Sequence, residues 1–223
     1  MSIAVDTKDC TALSDAELVE MADLCAEGPH PHEVGIVSKQ AEAWVLVAQA
    51  REDGKLKGFA FCTLERIGGT PCVLVGLASV RRTSKRDTVL RGLVQDLLRR
   101  AVLAFPDEDV LVSSRFSQPG GFDAFKSLND IVPRAGHRAS GEERAWGGRL
   151  AKRYGIEARA YDQRAFVAKG DGGGPAPVFD HETLHVDQID AEVADRFEGL
   201  HPHKGDSLVA FGWAMEEDLR KLA

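Results

Sequence analysis

The sequence predicts an α+β fold: a mixed, mostly antiparallel sheet flanked by helices. Three observations carry that reading. Three strand-like runs follow one another between residues 43 and 80, separated by tight turns. A long amphipathic helix comes directly after them, over 88–104. A strand, a helix and another strand-like run complete the pattern. A meander feeding a strand–helix–strand unit is an α+β layout; a doubly wound fold would alternate strand and helix throughout.

Each element has its own local cause. Ser14-Asp15-Ala16-Glu17 reads as a capping box, with Leu13 and Leu18 as a hydrophobic staple, so a helix should run to about Ala26 and stop at Gly28. "GPHPHEVG" (28–35) holds two prolines and two glycines and should be irregular. "AWVLVAQA" (43–50) and "LKGFAFCTLERI" (56–67) are strands joined through Asp53-Gly54, a strong hairpin signal. "CVLVGLASV" (72–80) is apolar on both faces, so it belongs in the centre of a covered sheet. In the long helix Val89, Leu90, Leu93, Val94, Leu97, Leu98, Ala101 and Val102 recur at helical spacing, and Pro106 follows its end.

"DEDVLVSSR" (107–115) is the next strand, and "QPGGFDAFKSL" a loop with a short helix. Ser140-Gly141-Glu142-Glu143 is a second capping box, opening a helix that carries Trp146, Leu150 and Tyr154 and ends at Gly155. "QRAFVAKG" (163–170) is strand-like, and "GDGGGPAP" (170–177) reads as a flexible connector. Ile189, Val193, Phe197 and Leu200 can share one helical face, and "SLVAFGWA" (207–214) is too apolar to stay in water. This helix–strand–helix extension should therefore pack on the sheet, with the edge left by 163–170 as the nearest place for an added strand. The expected division is 1–170 for the main domain and 171–223 for an extension on the same domain. Trp44, Phe59, Phe61, Trp146 and Trp213 are most simply core.

Composition narrows the function. The chain has 223 residues, 43% hydrophobic and 28% charged, with a formal net charge of −7. That acidity argues against a general nucleic-acid binder. The four cysteines, Cys10, Cys25, Cys62 and Cys72, match no zinc or redox spacing. Cys62 and Cys72 lie in apolar runs and should be buried thiols. No stretch approaches the ~20 apolar residues of a membrane span, and the N-terminus has no signal-peptide core. The expectation is a cytoplasmic protein without membrane or nucleic-acid partners.

Against this acidic background one segment is basic. Residues 81–88, "RRTSKRDT", lie between the buried third strand and the long helix. Amides at a helix N-terminus, with Ser84 or Thr88 hydroxyls and Arg86, can hold a diphosphate. The alternative is a solvated loop with Ser84 or Asp87 as a plain N-cap. Asp87 would repel an anion placed there.

With this strand, loop and helix in place, "ASVRRTSKRDTVLRGLVQDLL" resembles the segment of the GNAT N-acetyltransferase superfamily in which the last strand of a meander leads through a phosphate-cradling loop into a long helix. "RLAKRYGI" (149–156) is similar to that family's later helix running into Gly-Phe. The likeness covers roughly residues 12–170 and points to a divergent bacterial GNAT-like subgroup. It implies acetyl-CoA as co-substrate and direct acyl transfer to an amine, whether a small molecule or a peptide, with homodimer formation left open. The cofactor-binding residues it implies are the strand backbone at Ala78, Ser79 and Val80, and the loop Ser84, Lys85, Arg86, Asp87, Thr88 and Val89. In that family the strand holding Ser113 and Ser114 splays to admit the pantetheine arm; either serine could bond it or merely cap the strand, and Ser114 is counted among the candidate catalytic residues.

Amine acetylation also needs a proton acceptor. Glu65 is the first candidate, at a strand end on the face of Phe59, Phe61 and Thr63, and Glu33 the second; either can also be a plain solvated carboxylate. The sequence departs from the family where it matters. Thr88, Val89 and Arg91 stand where the loop wants glycine, Gly92 comes too late, and Tyr154 abuts Gly155, out of register for the family's general acid. The rival reading is therefore a degenerate GNAT-fold module that binds CoA or a protein partner without turnover. His30-Pro31-His32 and His201-Pro202-His203 offer four imidazoles, but at no usual zinc spacing; they are expected to be surface residues, and no metal is expected.

Overall fold

The computed structural model describes residues 3–222. Its strands are β1 (Ala4–Asp9), β2 (Leu46–Glu52), β3 (Lys55–Ile67), β4 (Thr70–Val80), β5 (Val110–Phe116), β6 (Asn129–Val132), β7 (Tyr161–Asp162), β8 (Val167–Ala168), β9 (Phe179–Asp180) and β10 (Ser207–Ala214). The helices are α1 (Asp15–Cys25), α2 (Val34–Ala43), α3 (Arg86–Ala104), α4 (Gly141–Arg153), α5 (Ala191–Glu198) and α6 (Glu216–Leu219). The sheet order is β1-β2-β3-β4-β9-β5-β10-β8-β7, with β6 also pairing β10. Strands β1 to β4 form an antiparallel meander, while β4, β9 and β5 run parallel. This is the mixed, mostly antiparallel sheet flanked by helices that the sequence implies, with the C-terminal helix–strand–helix segment packed on it.

Local signals place most elements. Both capping boxes form, Ser14 with Glu17 and Ser140 with Glu143. Asp53 and Gly54 take positive φ of 52° and 78°, the turn that matches strand twist. The apolar stripe of α3 (Val89, Leu90, Leu93, Leu97, Leu98, Ala101) is buried on one sheet face, where α5 and the C-terminal strand add to the same core. Helices α1 and α2 close a second, smaller core on the other face around Phe59, Phe61 and Leu77.

Some expectations need correction. Residues 34–43 form α2, so the second strand begins at Leu46, not Ala43. The polar run Ala4–Asp9 adds an edge strand, a place where one buried face suffices. The 163–170 strand shrinks to Val167–Ala168, because Phe166 takes a positive φ of 59° that breaks the extended run. The 170–177 connector is fastened: Gly170 N donates to Asp206 Oδ1 at 3.0 Å and Gly172 N to Lys204 O at 3.1 Å. Strand β10 lies between β5 and β8, closing the edge that β8 would otherwise leave.

Candidate functional site

The site is the fork between β4 and β5. The two strands pair from Cys72↔Leu111 to Leu74↔Ser113 and then part. A bulge explains the parting. Between the pairs Cys62↔Val75 and Ala60↔Ala78, β4 places two residues, Gly76 and Leu77, against the single Phe61 of β3, and a bulged strand bends and twists. Gly76 sits in this bulge with the Trp44 indole 2.2 Å from the place a Cβ would take, so a side chain there would collide with the ring. Ser114 Oγ donates to Val75 O at 3.1 Å across the fork, and Ser113 Oγ donates to Ala210 O at 2.9 Å. Both serines are fully buried.

The fork is filled by the chain itself. β9 enters it parallel to both neighbours, with Ala78↔Phe179 and Ser79↔Asp180 on one side and Phe116↔Phe179 on the other. Ala78 N donates to Val178 O at 3.2 Å. Phe179 packs on Phe116 with ring centroids 5.8 Å apart, and Val178, Phe179, His181 and Thr183 are all buried. The backbone of Ala78–Val80, to which the family resemblance assigns cofactor orientation, is thus engaged at Ala78 and Ser79 by residues of the same chain.

The basic loop is engaged too. Arg82 Nη2 donates to both Asp180 oxygens at 3.1 Å, and its Nε to Glu182 Oε2 at 3.1 Å. Arg86 Nη2 lies 3.9 Å from Glu182 Oε1. Arg81 pairs with Glu27, and Lys85 with Glu52. Gln118 Nε2 adds donors to Asp180 Oδ1 at 2.7 Å and to His181 O at 3.2 Å. All four cations of residues 81–86 therefore face carboxylates. At the start of α3, Lys85 occupies the N-cap without a side-chain bond, so neither Ser84 nor Asp87 caps the helix. Ser84 and Thr88 are exposed. Val89 is buried, its Cγ1 2.8 Å from where Gly58 would carry a Cβ. A diphosphate and pantetheine arm do not fit these residues as they stand, because a strand fills the one place and acidic side chains hold the cations of the other.

The proposed catalytic residues are not brought together. Glu65 pairs with Cys72 at the opposite end of the sheet, six residues along β3 from Phe59, the partner of Ser79; that is about 20 Å at ~3.3 Å per residue. Its carboxylate is held by Arg153, Nε to Oε1 at 2.6 Å. Glu33 is exposed, preceding α2. Tyr154 OH donates to Ser113 Oγ at 3.3 Å, and burial raises its pKa. Arg115 beside it is pushed down to about 10 by burial, its Nε and Nη2 donating to Ser207 Oγ.

The fork brings together residues the sequence reading missed. His181 is fully buried beside Asp87 and Asp123, its Nε2 3.2 Å from Asp87 Oδ1 and 4.0 Å from Asp123 Oδ2. Burial pushes its pKa down, with both carboxylates pulling the other way. The available signal was "VFDHET" (178–183), an apolar pair and three ionisable residues directly after the glycine-rich connector. The histidine triplets also need a correction: His201 and His203 are exposed, with rings 5.9 Å apart, but His32 is buried and its pKa lowered by that burial.

No family model matches the chain, and no curated protein sequence matches it. Solved structures do. The chain is similar to the ribosomal-protein-S18-alanine N-acetyltransferase of Escherichia coli, at 10% identity and a TM-score of 0.48 over 94% of both chains. It is similar to an IAA acetyltransferase of Bacillus cereus, at 11% identity and 0.47, over 96% of this chain and 100% of that one. A third is a GNAT family acetyltransferase of Brucella melitensis in complex with acetyl-CoA, at 20% identity and 0.35, over 49% of this chain and 75% of that one. Among the described residues no helix is long and apolar enough to cross a membrane.

Proposed function

We propose that this chain is a non-catalytic GNAT-fold protein, one that holds its own strand where an acetyltransferase of that fold would hold pantetheine. The observation that carries this reading is β9, paired to β4 and β5 and buried at Phe179. The pairing of Arg82 and Arg86 with Asp180 and Glu182 supports it, since these carboxylates meet the charge a diphosphate would meet. The position of Glu65 at the far end of β3 from the loop supports it as well. Such a protein acts by binding a partner, not by acyl transfer.

A second reading has one observation in its favour. Residues 177–183 follow a connector whose Gly172 and Gly174 adopt positive φ of 85° and 133°, and glycine can leave such conformations at little steric cost. If that segment withdraws, the loop cations and the strand backbone become available together, and an acetyl-CoA-dependent N-acetyltransferase acting on an amine results.

Calorimetry separates the two. The wild-type chain, titrated with acetyl-CoA to about millimolar concentration, is expected to give no binding heat. A variant carrying Asp180→Ser and Glu182→Ser is expected to stay silent as well, because the backbone of β9 still fills the fork. Stoichiometric binding to the wild type overturns the non-catalytic reading. Binding that appears in the double variant alone favours the segment as a displaceable plug.

A further inference from the structure

The cluster at His181 has a chemistry that the fold's own logic does not use. Asp87 stands in the first turn of α3, Asp123 in the 3-10 turn Pro119–Phe125, and His181 immediately after β9. Donor atoms of these three residues all lie within 4.8 Å of one another. His185 joins from the following turn, its Nε2 3.5 Å from Asp87 Oδ2. Three side chains from three segments distant in sequence thus face one small volume, and His185 stands at its rim, on the other Asp87 oxygen.

A second, independent fact points to a ligand. His181 is fully buried, yet neither ring nitrogen has a hydrogen-bond partner, and both Asp87 oxygens are also buried without one. The contacts at 3.2 and 3.5 Å have ion-pair distances but not hydrogen-bond geometry. Burying polar atoms without partners is costly, and a buried imidazole flanked by two carboxylates invites a cation. We propose that Asp87, Asp123, His181 and His185 form a binding site for a divalent transition-metal cation, zinc(II) being the best match.

The geometry suits it. Donors around a tetrahedral ion bonded at ~2.1 Å lie about 3.4 Å apart; His181 Nε2 stands 3.2 Å from Asp87 Oδ1 and 4.0 Å from Asp123 Oδ2, and the exposed His185 side chain, 3.5 Å from Asp87 Oδ2, can turn in as the fourth ligand. Two imidazole nitrogens with two carboxylate oxygens are a usual zinc set, whereas magnesium and calcium prefer all-oxygen shells. Two carboxylates also balance the charge of the ion. Two nearby cations bear on the site: Lys126 Nζ holds the other Asp123 oxygen at 2.7 Å, leaving Oδ2 to face inward, and Arg86 lies close enough to oppose charge on His181. An entry path exists, since Asp87, Asp123 and His185 also line an open cleft of about 560 Å³ between α3 and the C-terminal helix. The ion would tie the segment after β9 to α3 and to the 119–125 turn. The proposal does not depend on whether the chain binds CoA.

The test uses the untagged full chain, stripped with chelator and dialysed, then titrated with zinc chloride by calorimetry and followed by thermal melting. One equivalent of zinc and a higher melting temperature are expected. His185→Ala, at a half-exposed position, and Asp123→Asn should each weaken zinc binding more than about tenfold and abolish the melting shift. His203→Ala, in the other histidine-rich loop, should change neither. These variants spare the fully buried His181, whose replacement could prevent folding. Less than one equivalent in the wild type overturns the site. So does wild-type affinity in both His185→Ala and Asp123→Asn, loss of binding in His203→Ala, or an equal melting shift with magnesium.

Discussion

The two ends of β4 solve the same problem differently. At Cys72–Leu74 the strand is closed by β5 in a parallel ladder of apolar neighbours. At Ala78–Ser79 it is closed by β9, two residues of strand returning from a hundred positions later and fixed by Arg82 and Gln118 on Asp180. The first junction follows from burial alone, since Val73, Leu74, Leu111 and Val112 have nowhere else to go. The second needs burial of Phe179 together with charge pairing at its rim. The space between the parting strands is here part of the core, filled by a segment that lies beyond residue 170.

The largest effect should come from breaking the two junctions separately. Phe179→Ala removes a fully buried ring that packs on Phe116, at a cost of about 3–5 kcal/mol, and Leu74→Ala at the other end costs about 2–5 kcal/mol. Urea unfolding measures both. The comparison is sharpened by what else changes: the Phe179 variant should take up a small apolar probe in the emptied fork while still folded, and the Leu74 variant should not. Equal loss of stability with an equally closed fork in both would mean that β9 is ordinary core and not a separable insert.

A smaller effect is expected where the connector to β9 is anchored. The Asp206 carboxylate is 6% exposed and accepts from Lys169 Nζ at 2.8 Å, Gly170 N at 3.0 Å and His201 N at 3.1 Å. Burial, the largest influence, raises its pKa, but these bonds outweigh it and hold the group at about 2. The folded value lies below that of the unfolded chain, ~3.9. The stabilisation is therefore complete above about pH 4 and lost as pH falls toward about 2, on the order of 2 kcal/mol in all. Asp206→Asn should lower stability at pH 7 by that order and flatten the loss between pH 4 and 2. An unchanged acid profile would show that the anchor carries no weight.

What could be read in the sequence follows the same division. The meander, both capping boxes and α3 rest on local signals, caps and periodicity within a few residues, and these were legible. The basic charge of 81–86 was legible as well, but not its partner, because Arg82 and Asp180 are 98 residues apart and charge alone names no mate. Helix α2 was hidden by Gly35 and by β-branched Val34, Ile36 and Val37, which read equally well as loop or strand. β9 was hidden because two residues carry no periodicity; what makes them a strand is the fork, and the fork comes from a bulge that no local pattern announces. The assignment of Glu65 came from strand alternation, which gives a face but not which end of the sheet matters, and that of Ser114 from the resemblance, which says nothing of a strand inserted at the fork.

The smallest effect is a rate, and it reads the two ends of β4 side by side. Cys25, at the end of α1, lies near Asp180, Ser79 and Arg82, while Cys72 opens the other end of the strand with its Sγ bonded to Thr70 O at 3.4 Å. Burial pushes the Cys25 thiol up to about 12 and the Cys72 thiol up to about 11. At pH 8 the reactive thiolate is then roughly one part in ten thousand for Cys25 and one in a thousand for Cys72. In the native wild type both should resist a thiol-disulfide reagent for hours, with Cys72 the faster if either reacts. Phe179→Ala should leave that order unchanged, since Phe179 packs in the core on the α3 face and Cys25 in the core that α1 and α2 close on the other. Peptide mapping of the labelled cysteines distinguishes them. If Cys25 leads in the Phe179 variant, loss of the ring loosens both faces of the sheet and the fork is not confined to the α3 side.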